Sequence, residues 1–194
     1  MTKVYKSFED IDFDTLLTIL QDDNILEDVD LQTSLYIYAI RNAFVQALEA
    51  ISDDKYRLTF KQLCFIVLAN MHLDGAELYR TLNLIYHNDY DDIIEDKPCT
   101  GVSLLARLTH YNKFAVDMFN EFSRSIARYR LPDTSKVLTG NTDKSSFIND
   151  VIYIACKGDV SKLPIVYEQE AEDVLMFIEQ ETRKTYEIKR QSRL

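Results

Sequence analysis

A chain of 194 residues with 46% hydrophobic side chains is long enough to bury a core of its own, and a net charge of −10 separates it from the basic nucleic-acid binders. The acid is concentrated in front: residues 1–97 carry 19 acids against 8 bases, whereas residues 98–194 carry 13 against 14. Such a first half repels phosphate, which argues against direct nucleic-acid binding unless the surface itself imitates a nucleic acid.

Four glycines and three prolines leave few tight turns, and the twelve tyrosines and ten phenylalanines fall at helical spacing, so an all-α fold with little or no sheet is expected. Cys64, Cys99 and Cys156 are odd in number and without CxxC spacing, which reads as free thiols in a reducing compartment. No apolar run reaches the ~18 residues of a membrane span. The opening MTKVYKSFEDIDFD turns acidic where a signal peptide turns apolar, giving an expectation of cytoplasmic synthesis without membrane contact.

In chain order, Asp12 is placed to cap a short helix with Phe13, Leu16, Leu17 and Leu20 on one face, ended near Asp22-Asp23-Asn24. A second helix is predicted over about 31–51, with Ile37, Ile40, Phe44, Leu48 and Ile51 on one side. Leu35, Tyr38 and Ala39 widen that stripe, so this helix is expected to pack between neighbours. Thr59 and Gln62 have capping-box spacing ahead of LCFIVLA, which is apolar all round and reads as an inner helix. Asp74-Gly75 breaks the run before a helix bearing Tyr79, Leu82, Ile85 and Tyr86. The two helices have the lengths of a helix-turn-helix, but the second offers Arg80 as its only base, beside Glu77, and lacks side chains for phosphate and base edges.

Residues 88–98 read as an acidic loop. Asp89, Asp91, Asp92, Glu95 and Asp96 could meet a hard cation or a basic partner, although the spacing lacks the glycine and final glutamate of a calcium loop. After it, Leu104, Leu108, Tyr111, Ala115, Met118, Phe122, Ile126 and Tyr129 recur at steps of three and four. One long helix, about 102–130, would carry an apolar seam about 40 Å long. Arg124, Arg128 and Arg130 sit near its negative dipole end, and Pro132 stops it.

The polar stretch around Gly140-Asn141 reads as a linker. A helix from Phe147 to Lys157 with Gly158 as C-cap follows, then a bend from Asp159 through Pro164, then a helix from Glu168 to about Arg190 carrying Ala171, Val174, Leu175 and Ile178. Beyond Ile178 the apolar positions thin out, while Arg183, Lys184, Lys189, Arg190 and Arg193 form a basic end suited to water or to an acidic partner. The expected architecture is a multi-helix bundle around the long helix with a C-terminal helical appendage. Its parts are a core domain at 1–132, a linker at 133–146, and a C-terminal segment with a basic tail at 147–194.

Reaction motifs are missing from this pattern. His72, His87 and His110 stand apart from one another, no His-x-x-x-His or Glu-x-x-His pair exists, and glycines only at 75, 101, 140 and 158 cannot build a phosphate cradle. Glu168 and Glu172 lie one turn apart, as acids this dense do by chance. The expectation is a non-enzymatic protein without cofactor or metal. Tyr36, Tyr38, Tyr79, Tyr86, Tyr90, Tyr111 and Tyr129 are more tyrosines than one core accommodates, and exposed tyrosine favours protein interfaces.

From Asp150 to Lys184, DVIYIACKGDVSKLPIVYEQEAEDVLMFIEQETRK presents a short helix ending in Ala-x-x-Gly-Asp, a bend, and an acidic helix centred on Val-Leu-x-x-Ile. This segment resembles bacteriophage tail or baseplate assembly chaperones, and more loosely the helical adaptor rings between portal and tail. The resemblance carries over no functional residues. It implies a viral structural or assembly protein that binds other structural subunits, a homo-oligomeric ring among the arrangements, in the host cytoplasm during assembly or in the virion. The alternative reading is an acidic inhibitor in which Asp89, Asp91, Asp92, Glu95 and Asp96 stand in for DNA phosphates on a host enzyme. Under the first reading, Arg183, Lys184, Lys189, Arg190 and Arg193 are the other partner-binding candidates.

Overall fold

A computed structural model describes residues 8–27, 29–51, 56–90, 101–129 and 144–192, with backbone alone at 9, 23, 87–90 and 144–146. The helices are α1 (Phe13–Gln21), α2 (Leu31–Glu49), α3 (Phe60–His72), α4 (Gly75–Tyr90), α5 (Gly101–Ala127), α6 (Lys144–Ala155), α7 (Leu163–Tyr167) and α8 (Ala171–Gln191). Short 3₁₀ turns lie at Phe8–Asp10, Asp23–Leu26 and Val160–Lys162. Among the described residues there is no strand beyond one antiparallel bridge between Thr59 and Glu170, and the chain is all-α as expected. No helix among them is long and apolar enough to cross a membrane.

Local chemistry starts these helices. Asp12 accepts the Thr15 amide and hydroxyl, both at 2.9 Å, and Asp30 accepts the Thr33 amide at 2.9 Å and its hydroxyl at 3.0 Å. Each carboxylate thereby satisfies a donor that the first turn leaves without a helical partner. The capping box at α3 closes in both directions: the Thr59 amide donates to Gln62 Oε1 at 2.6 Å, and the Gln62 amide donates to Thr59 Oγ1 at 3.3 Å.

The described helices sort into two compact units, each an α-helical bundle. One comprises Met1–Lys55 with Leu73–Lys113, the other Tyr56–His72 with Phe114–Leu194. In the first unit, Ile11, Leu16, Leu17 and Ile19 pack with Ile37 and Ile40 of α2 and with Val102 and Leu105 of α5. Arg41 turns back from α2 to donate to the carbonyls of Ile19 (3.0 Å) and Asp22 (2.9 Å), meeting acceptors that the end of α1 leaves open. Arg80 of α4 pairs with Asp14 of α1 at 2.7 Å. Tyr86 and Tyr111 meet edge to face at 5.5 Å, and the Tyr79 hydroxyl lies 3.1 Å from that of Thr109.

In the second unit α3 packs with α6, α7 and α8. Its Phe60, Leu63, Ile66 and Val67 are buried, as are Val151 of α6, Val166 of α7 and Val174, Leu175 and Ile178 of α8. Two backbone bonds fasten the starts of α3 and α8: Phe60 N–H donates to Gln169 O and Ala171 N–H donates to Leu58 O, both at 2.8 Å.

This partition differs from the boundary expected at Pro132. The expected core domain, 1–132, supplies both units, and the expected appendage, 147–194, is the larger part of one of them. The physical reason is α3, whose apolar surface is covered by helices that follow it by about a hundred residues. The long helix also divides, with Gly101–Lys113 in the first unit and Phe114 onward in the second. Its seam is buried as the spacing predicts at Leu104, Leu108, Tyr111, Ala115, Phe122 and Ile126, and half-buried at Met118.

Several boundaries shift. The helix α5 ends at Ala127 rather than near 130, so Arg128 and Tyr129 sit in the following turn. Pro132 and 133–143 of the expected linker lie outside the described residues, and 144–146 already belong to α6. Inner helix α3 is not apolar-buried all round, since Phe65 is 46% exposed. Likewise, among the described residues, α2 is buried along one side, at Ile37 and Ile40, whereas Leu35 and Tyr38 are exposed.

Candidate functional site

One open groove among the described residues lies in the second unit. After Ala127, Arg128 N–H donates to Ser125 O and Tyr129 N–H to Ile126 O, a tight turn that leaves the Tyr129 ring 6.1 Å from that of Tyr186 on α8. Ser125 Oγ donates to the Glu179 carboxylate, tying the end of α5 to α8.

The opposite wall comes from the end of α6. Gly158 N–H donates to Tyr153 O and Lys157 N–H to Ile154 O, both at 2.9 Å, the paired bonds of a Schellman ending. Two successive residues are left-handed, Lys157 at φ 53° and Gly158 at φ 76°. The expected glycine cap is therefore shifted by one: the lysine occupies the position where glycine is usual, and Gly158 follows it. A Cβ at 158 would lie 3.0 Å from the Tyr153 hydroxyl, so the ring would have to shift slightly, and the left-handed φ of 76° itself favours glycine there.

From α8 come Glu181, Thr182, Thr185, Tyr186 and Lys189, residues of one helical face. Together with Tyr129, Tyr153, Ile154, Lys157 and Gly158 they line an open groove of about 560 Å³. The threonine hydroxyls are turned inward to the helix, Thr182 to Ile178 O at 2.8 Å and Thr185 to Glu181 O at 2.9 Å, so they offer the groove little hydrogen-bonding capacity. Its character is three phenol rings, an isoleucine and two ammonium groups.

Two lysines and one carboxylate carry the charge of the groove. Lys157 Nζ stands 4.9 Å from the centre of the Phe177 ring, and Lys189 has no carboxylate within ion-pair reach among the described residues. The single acid in the groove, Glu181, pairs with Lys184 at 2.7 Å. That hydrogen bond and the Lys184 and Lys157 charges hold its carboxyl below the usual range, so it stays ionised and matched.

Of the residues expected from sequence to bind a partner, only Lys189 lines the groove. Arg183 and Lys184 are exposed on α8 in pairs with Glu187 (2.9 Å) and Glu181, and Arg190 is exposed in its last turn. Arg193, Asp91, Asp92, Glu95 and Asp96 lie outside the described residues. Asp89 is in the last turn of α4, which extends through Tyr90 and takes 88–90 out of the expected loop. The tyrosines divide: Tyr86 and Tyr111 are core, Tyr38 is exposed, Tyr36 and Tyr79 are half-buried, Tyr129 belongs to the groove, and the Tyr90 side chain is outside the described residues.

Tyr153, Ile154, Lys157 and Tyr186 line the groove without belonging to the basic end or the acidic stretch. Their signal was available, since Tyr153 and Ile154 are large apolar residues off the inward stripe of Val151 and Ala155.

The groups considered for chemistry stay apart. His72 is exposed at the end of α3, His110 is half-buried on α5 in the other unit, and the His87 side chain is outside the described residues. Glu168 follows α7, Glu172 begins α8, and both face water. Burial pushes the Cys64 thiol up to about 12 and raises that of Cys156, so neither supplies thiolate at neutral pH. Among the described residues no group of three His, Cys, Asp or Glu could hold a metal ion. Comparison of the chain with protein-family models, with curated proteins and with solved structures finds no match.

Proposed function

We propose that this protein works by gripping other protein subunits rather than by making or breaking bonds, and that its C-terminal unit does the gripping. The supporting observation is the groove between the end of α6 and α8, where Tyr129, Tyr153 and Tyr186 surround Lys157 and Lys189. Phenol rings supply large contact area at low cost in side-chain freedom, and the Lys189 ammonium group, with no carboxylate in ion-pair reach among the described residues, selects an acidic segment. The occupant that fits is an acidic stretch of another structural subunit carrying an aromatic or aliphatic anchor. An assembly chaperone or adaptor of a bacteriophage-like tail, the class that Asp150–Lys184 resembles, is the biological role that we assign.

The test is to place a photo-crosslinking side chain at Thr185 in the full chain, within cells that naturally make it, and identify what is captured. The expected product is a structural subunit joined through an acidic segment, lost when Lys157→Glu and Lys189→Glu are combined in a chain that keeps its helix signal. No captured protein, or capture indifferent to the charge reversal, overturns the reading.

A further inference from the structure

The first unit carries a different surface, on α2. Leu31, Leu35, Tyr38 and Val45 are 76%, 61%, 54% and 48% exposed, and Asn42 and Glu49 are exposed with them. These positions advance by four, three, four, three and four along 19 residues of unbroken helix. That is the spacing of a two-stranded coiled-coil seam from Leu31 to Val45, with Leu35 and Asn42 at a positions and Leu31, Tyr38 and Val45 at d positions, and with the seam ending before Glu49, the last residue of the helix, where like charges would meet. The buried stripe of α2, including Ile37 and Ile40, is a separate face.

Charge identifies the occupant. From Leu31 to Leu48 the helix holds no acid, although the chain has 32 acids and residues 1–97 carry a net −11. Its one base, Arg41, is spent on the carbonyls of Ile19 and Asp22. A basic partner would find nothing here to pair with. Two copies of an acidic chain repel each other least where charge has been removed, and depletion of charge marks the centre of an interface.

Asn42 sets the arrangement. In an antiparallel pair a positions face d positions, so Asn42 would meet Leu31, Tyr38 or Val45 and lose the hydrogen bonds of its amide. In a parallel, in-register pair it meets its own copy, and one amide donates where the other accepts. Covering the four apolar side chains on both copies removes on the order of 800 Å² at roughly 100 Å² each, and Gln32, Asn42 and Gln46 bring the contact near the ~1,000 Å² that a specific pair requires.

We infer that the exposed face of α2 is the seam of a parallel homodimer, Leu35 on Leu35, Asn42 on Asn42. This does not rest on the groove of the second unit. Sedimentation equilibrium of the full chain from about 1 to about 100 μM spans the range in which a contact of this size associates. A monomer–dimer equilibrium is expected, reaching twice 22.6 kDa. Leu35→Glu should weaken it at least about tenfold by bringing like charges together, while helix content by circular dichroism is kept. Asn42→Cys with Cys99→Ser should give a disulfide-linked dimer under mild oxidation, because facing a positions bring like residues together. A monomer at every concentration overturns the inference, as does a dimer indifferent to Leu35→Glu. A dimer that Asn42→Cys cannot link overturns the parallel register.

Discussion

Helices α2 and α8 are of similar length and each buries one apolar stripe, Ile37 and Ile40 on α2, Val174, Leu175 and Ile178 on α8. Their outer faces part company. On α8 most outer residues are charged, with Met176 and Ile188 exposed among them, and two pairs are matched within the helix, Arg183 to Glu187 and Lys184 to Glu181. On α2 they are Leu31, Leu35, Tyr38, Asn42 and Val45. Amphipathicity alone therefore does not say what the second face meets. A face of paired charges is already satisfied by water and its own neighbours, whereas an uncharged apolar face gains from being covered.

The contrast is broken most forcefully by placing a charge on each side of each helix. Ile40→Asp and Ile178→Asp bury an unpaired carboxylate at positions with 0% exposure and should each cost about 3–5 kcal/mol in urea unfolding. Leu35→Asp, one helix side away, should change unimolecular stability by less than about 0.5 kcal/mol. Equal losses at Leu35 and Ile40 would show that α2 has no free face.

A smaller effect is expected at the end of α6. Gly158→Ala puts a Cβ against the Tyr153 hydroxyl at a left-handed position and should cost about 1–3 kcal/mol, read as a shift in denaturation midpoint. A variant as stable as the parent would mean that the ring is not held there.

Next come the caps that start α2 and the 3₁₀ turn before α7. The Thr33 amide holds Asp30, and the Ser161 hydroxyl holds Asp159, below the ordinary 3.8. A depressed folded pKa means that the stabilisation is fully present above pH 3.8. As the pH falls below that value the unfolded chain takes up protons first, and the stabilisation is gone once the folded carboxylates also protonate. Asp30→Asn should therefore flatten the acid limb of the pH–stability curve without abolishing the cap, since an amide oxygen still accepts from Thr33. An unchanged acid limb would remove Asp30 from this role. The smallest effect is expected on the outer face of α8, where Arg183→Ala should leave the melting temperature unchanged within error, because solvent screens an exposed pair. A measurable drop would mean that this face is covered.

Much of the fold was legible in advance. The seam of α5 could be read from its three-and-four spacing, the start of α1 from Asp12, and that of α3 from Thr59 and Gln62. All are interactions within one or two turns. The site was far less legible: of the proposed contact residues only Lys189 reached the groove. A run of basic residues shows where charge lies, but not that Arg183 and Lys184 are occupied by their own helix. Nor does it show that Tyr129, Tyr153 and Tyr186 converge from three places in the chain.

By itself, then, the sequence determined most of the helical segments, though it pointed to a bend where α7 begins, as well as where their apolar stripes run and how several of them begin, because backbone hydrogen bonds and caps span only a few residues. Only the tertiary structure decided that α3 joins the C-terminal helices, that α5 serves two units, and that among the described residues the Leu35 side of α2 is exposed. Burial of apolar surface has no direction, so a greasy stripe announces that it will be covered without naming its cover. For α3 that choice is recorded in contacts such as Phe60 with Gln169 and Leu58 with Ala171, more than a hundred residues apart along the chain.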